Sequence, residues 1–125
     1  IWADNYLKCI SNSKMGLNLS RGEPLKYYSS DRIVQIIGNG LVVLIDEKTK
    51  YNDFFNDKEM VFYKNVSDLS EKIIKISKDD NLRRKIAMNG KRKYIKYFNS
   101  NLVAEFIVNK TLTLDSKKKY LWHKN

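Results

Sequence analysis

Between residues 41 and 46 the chain reads LVVLID, an almost unbroken apolar run rich in β-branched side chains. The run is too short for a helix and lacks the polar alternation of a half-exposed strand. It therefore reads as a strand covered on both faces, the kind found inside a parallel sheet. Parallel neighbours cannot be joined by a tight turn, so helical segments should lie on either side of it.

The flanking sequence supplies them. Residues 2–14 carry Tyr6, Cys9 and Ile10 at helical spacing, and MGLNLS follows as a short strand. RGEPLKYYSS, with the only proline, reads as a surface loop. In DRIVQIIGN, Ile33, Ile36 and Ile37 share one helix face, Ser30 or Asp31 can cap the start, and Asn39 and Gly40 stop it. After LVVLID come a helical turn at YNDFFN and a further strand at MVFYK. NVSDLSEKIIKIS then places Val66, Leu69, Ile73 and Ile76 on a stripe, with Ser67 as the expected cap. From Asp80 to Phe98 the apolar positions keep helical period through Gly90, whose cost of about 1 kcal/mol relative to alanine points to close packing. A last helix is expected at NSNLVAEFIVNKTL with Leu102, Phe106 and Ile107 inward, before a basic tail. The fold class is α/β: a Rossmann-like parallel sheet with flanking helices. About three strands can be counted where a sheet commonly has about five or six, and the chain opens on Ile1, so the sheet is expected to be incomplete, with upstream strands elsewhere.

Composition is that of a globular chain: 42% apolar and 30% charged, with a net charge of +10 from 24 Lys and Arg against 14 Asp and Glu. That sign suits phosphates, nucleic acid or an anionic membrane face without choosing among them, and a solvated charged surface explains it as well. The longest apolar run falls far short of the roughly 20 residues that span a bilayer, so a soluble protein is expected. The single cysteine, Cys9, reads as a small buried hydrophobe. No His or Cys cluster is present to build a transition-metal site.

Parallel sheets bind ligands beyond the carboxyl ends of their strands, where helix amino termini offer free N–H groups to anions. The loop between Arg21 and Asp31 should lie there, with Ser29, Ser30 and Arg32 placed to add contacts to a diphosphate.

Taken in order, MGLNLS, SSDRIVQIIGNGLVVLID, MVFYK, VSDLSEKIIKI and DDNLRRKIAMNGKRKYIKYF resemble the end of the group-1 glycosyltransferase domain, including its spore-maturation-protein-like branch, over residues 14–112. The resemblance implies the carboxy-terminal, donor-binding portion of a two-domain GT-B fold, spanning 1–112, with a basic tail at 113–125. It implies transfer of a sugar from a nucleotide-diphosphate sugar to a hydroxyl acceptor, with no other cofactor and no metal. Ser29, Ser30 and Arg32 match the diphosphate-facing segment. Gln35 stands five residues before Gly40, where such families carry a glutamate that binds the donor's ribose. Tyr27 replaces an earlier acidic residue, and Glu23 is the acid of the same loop available for its role. The catalytic base and acceptor site belong to an amino-terminal domain, so no catalytic residue is assigned here. The resemblance also implies cell-envelope glycan synthesis at a cytoplasmic location, with the basic tail touching the inner membrane face.

The residues leave simpler readings open. Arg32 can be an exposed salt-bridging side chain, Gln35 a polar residue on a half-buried face, and Gly40 a helix stop. KRKYIKYF and SKKKYLWHKN also fit a basic nucleic-acid-binding module, although the aromatics at these spacings suit a helix core better, so nucleic acid is not the expected partner. A non-catalytic interaction module is the third reading.

Overall fold

A computed structural model of the chain describes residues 3–28, 30–114 and 118–123. The order is α1 (Ala3–Ser11), β1 (Met15–Asn18), α2 (Asp31–Gly38), β2 (Val42–Asp46), β3 (Val61–Tyr63), α3 (Val66–Lys78), α4 (Asp80–Tyr97) and α5 (Ser100–Thr111). The three strands form one parallel sheet in chain order, with Leu17 beside Leu44 and Leu44 beside Val61. This is the helix-flanked, Rossmann-like parallel arrangement expected from the sequence. The β2–β3 crossover carries two 3-10 turns, Glu47–Thr49 and Tyr51–Asp53, where YNDFFN promised a helical turn.

β2 separates two cores, because its successive side chains point to opposite faces. Val43 and Ile45 join Ile33, Ile36 and Ile37 of α2 with Phe54 and Phe55 of the crossover. Val42 and Leu44 join Ile76 of α3 and Ile86 and Ala87 of α4. Each of the larger of these side chains contributes about 1.5–3 kcal/mol by leaving water, so β2 anchors both layers. α2 sits close on β1: a Cβ added at Gly16 falls 2.5 Å from Ile36 Cγ1. That close seat fixes the start of α2 above the carboxyl end of β1.

Four expectations are corrected. Asn65, not Ser67, caps α3, accepting a 2.9 Å bond from the Asp68 amide; Asn65 has the extended backbone a cap requires. Starting there makes Val66 the first helical residue, and it is 81% exposed. Cys9 is exposed, because only the narrow Tyr6 and Ile10 stripe of α1 is half-buried. Ile107 is exposed too. The face of α5 that packs belongs to Leu102, Glu105, Phe106 and Asn109, and residues of the basic tail cover part of it. Tyr120 stacks edge-on to Phe106 at 5.0 Å, Trp122 lies 5.5 Å from Phe98, and Lys118 Nζ is 2.5 Å from Glu105.

Three carboxylates, Asp68, Asp80 and Glu105, are held below their ordinary values, and the first two tie local structure to pH. Asp68 is held below its ordinary value of 3.8 first by the Lys72 ammonium, 2.9 Å away, and then by the Lys64 amide. Asp80 is held below the same value first by Arg83, at 2.9 Å, with Lys14 assisting at 3.6 Å. Lowered folded-state values mean stabilisation that is fully present above about 3.8 and is lost as pH falls through the folded values. Urea midpoints are therefore expected to hold steady down to that region and then decline. Replacing both residues by asparagine should flatten the decline, and an unchanged slope would exclude these two as contributors.

Candidate functional site

β1 ends on Asn18 at the carboxyl edge of the sheet, and only 4% of this residue is exposed. Its Oδ1 accepts a 2.8 Å hydrogen bond from Ser30 Oγ across a loop of eleven intervening residues. Ser30 is the N-cap residue of α2 with extended backbone, yet its hydroxyl makes no cap bond. Its proton is given to Asn18 instead. The strand end and helix start are thus latched together while the helix's first turn is left without a side-chain cap.

The loop between them is held at both ends. Arg32 Nη1 donates to Leu19 O at 2.6 Å, securing its start. At the far end the Tyr27 amide donates to Thr49 O at 2.8 Å, the Tyr27 hydroxyl donates to Asp53, and its ring lies 4.9 Å from Phe54. Tyr27 has φ +60°, a left-handed conformation costing about 1–2 kcal/mol, so these contacts hold it there against that cost.

An open cavity of about 440 Å³ lies between loop and helix, lined by Leu19, Arg21, Glu23, Tyr28, Ser30 and Arg32, among others. Three expected residues, Glu23, Ser30 and Arg32, therefore meet around one opening. Asp31 also lines it, so two cations face two carboxylates, with the positive end of α2 added. Gln35 lies a turn further on, exposed, outside this lining, and accepts from the Tyr6 hydroxyl of α1. Ser29 lies outside the described residues. Gly40 stands two residues before β2 with φ +74°.

The neighbouring strand ends complete the edge. Asp46 closes β2 and pairs in register with Tyr63 of β3. Burial pushes the Tyr63 phenol above its ordinary value, and the Asp46 carboxylate adds to the rise. Among the described residues no group of His, Cys, Asp and Glu is arranged to hold a metal, and no helix is long and apolar enough to cross a membrane.

Asn18 is the site residue that sequence reasoning passed over. A signal existed: it is the polar residue closing a strand of a parallel sheet, at the edge where such sheets gather ligands.

Neither a curated protein nor a solved structure matches the chain. A family model described as glycosyl transferase-like matches residues 1–109. The strand order, the α2 seat and the whole cavity lining fall inside that match, and the chain belongs to the glycosyl transferase-like family, among the group-1 glycosyltransferases.

Proposed function

We propose that the cavity beneath the start of α2 binds the diphosphate of a nucleotide-sugar donor, and that the chain is the donor-binding part of an enzyme transferring the sugar to a hydroxyl acceptor. The observation that carries this reading is the latch between Asn18 and Ser30, which opens the first turn of α2 toward a cavity bordered by Arg32. Uncapped N–H groups and a guanidinium suit phosphate oxygens. As the glycosidic bond breaks, negative charge grows on the departing diphosphate, and donors already in place stabilise it without reorganising. The mixed lining fits such a ligand better than a bare polyanion: Arg21 and Arg32 meet phosphate, while Glu23 accepts from sugar or ribose hydroxyls.

Gln35 has one acceptor site taken by Tyr6, which turns its remaining capacity toward donation from Nε2 to a ribose oxygen. In this reading the acceptor and the base that deprotonates it come from a second domain, as GT-B architecture implies.

Calorimetric titration of the chain with uridine, UMP, UDP and GDP tests the proposal. Affinity is expected to rise with the second phosphate by at least about tenfold, the worth of one charge-assisted hydrogen bond. Equal affinity for uridine and UDP, or no saturable binding of either diphosphate to the folded chain, defeats it.

A further inference from the structure

α4 buries Ile86, Ala87 and Gly90 and turns its opposite face to solvent. Lys85, Met88, Arg92, Ile95 and Lys96 fall at steps of three and four on that outer face. Met88 is 45% exposed and Ile95 55%, and the three cations are exposed as well. Aliphatic side chains set between cations along one helix line are not what a simply solvated face needs. On a lipid interface this face would let Met88 and Ile95 enter the acyl boundary while the basic stems reach back to the headgroups.

We propose that the outer face of α4 docks on an anionic lipid surface. Charge complementarity argues for that partner. Seven cations occupy α4 (positions 83, 84, 85, 91, 92, 93 and 96) against Asp80 alone. Asp80 is taken by Arg83 at the helix start, and the nearest acid of another element, Glu59, is taken by Lys93 at 2.7 Å. Arg92 and Lys96 also border an open concavity of about 360 Å³ with Asn89, Tyr97 and the Lys93–Glu59 ion pair; there the two remaining cations face a space large enough for a headgroup phosphate. Nucleic acid shares the charge preference but not the rest. Tyr94 and Phe98 stack on each other at 5.4 Å and on Phe55 within the core, so they offer no platform for bases, and exposed aliphatic groups add nothing to phosphate contacts. Lys118, in the tail first expected to meet the membrane, is bound to Glu105.

Flotation of the chain with phosphatidylglycerol-containing vesicles, against pure phosphatidylcholine vesicles and a fluorescent RNA oligonucleotide, tests this. The chain is expected to partition onto the anionic vesicles only. Lys85→Gln, Arg92→Gln and Lys96→Gln together should weaken that partition roughly a hundredfold, at about fivefold per cation. Met88→Ser with Ile95→Ser, which leaves every charge in place, should weaken it roughly tenfold. All five positions are exposed, so melting curves should match those of the unmodified chain, and this separates docking from unfolding. Equal partition onto both vesicle types overturns the proposal, as does indifference to the triple change. RNA binding that follows the cations and ignores Met88 and Ile95 overturns it in favour of a nucleic-acid face.

Discussion

Gly90→Ala is expected to lower stability by about 3 kcal/mol, at the upper end of the usual cost of overpacking, and to reduce Tm by roughly 10 °C in a chain of this size. Helix propensity alone gives the opposite sign, since alanine in a helix interior is favoured over glycine by about 1 kcal/mol. Packing decides. A Cβ at position 90 lands within contact radius of the Glu59 carbonyl oxygen, 3.3 Å from its carbon and 3.5 Å from Ile37 Cδ1. The first obstacle is backbone, leading directly into Met60 and β3, and cannot rotate aside as a side chain can. α4 must back away, drawing its own Ile86 and Ala87 out of one core and Tyr94 with the adjoining Phe98 out of the other. Gly38→Ala is the control: nothing lies within 4 Å of its added Cβ, so stability should rise by about 0.5–1 kcal/mol. Thermal melts of the two variants should move in opposite directions, and a stabilised Gly90→Ala chain would show that α4 does not rest on Glu59.

The same glycine shows what can be read from the chain and what cannot. Its interruption of a helical pattern signalled close packing, but only the fold reveals Glu59 as the neighbour. LVVLID identified a two-faced strand because its five positions from Leu41 to Ile45 are all apolar, and that one strand then required helices on both sides. Cap identity was harder. Asn65 and Ser67 are nearly equal caps by residue type, and the choice between them is made by where β3 releases the chain. Cys9 and Ile107 sat on plausible helical stripes whose opposing surface is not visible in sequence. The aromatics of the tail were obscured by the lysines around them, although Tyr120 packs on α5 and Trp122 on Phe98, the residue that follows α4.

The site was legible in part for the same reason. Helix amino ends announce themselves, and the family resemblance drew attention to Ser30 and Arg32. The bond from Ser30 to Asn18 spans a loop, and no local pattern encodes it. It also reverses the expected role of Ser30: as a conventional cap the hydroxyl would accept from the helix, whereas here it donates away from it.

Arg32→Ala carries the second large expectation. If Arg32 contacts the diphosphate, its loss removes about 1.5–3 kcal/mol of charge-assisted hydrogen bonding, weakening UDP binding roughly 10- to 150-fold. Arg32→Lys keeps the charge but loses the planar fork that meets two oxygens at once, so it should fall between. Stability should change little, since the bond from Arg32 to Leu19 O is exposed and worth about 1 kcal/mol or less. Calorimetry with the three proteins, paired with melting curves, separates a binding residue from a loop clamp. A clamp alone would lower melting temperature without an ordered loss of affinity from arginine through lysine to alanine.

Backbone amide NMR during titration with UDP addresses the donor site at the level of individual residues. Saturable shifts are expected at Asn18, Ser30, Asp31 and Arg32, where the strand end meets the open first turn of α2. No shift there at saturating UDP, or shifts confined to residues 85–96 of α4, would contradict a diphosphate site at the edge of this sheet.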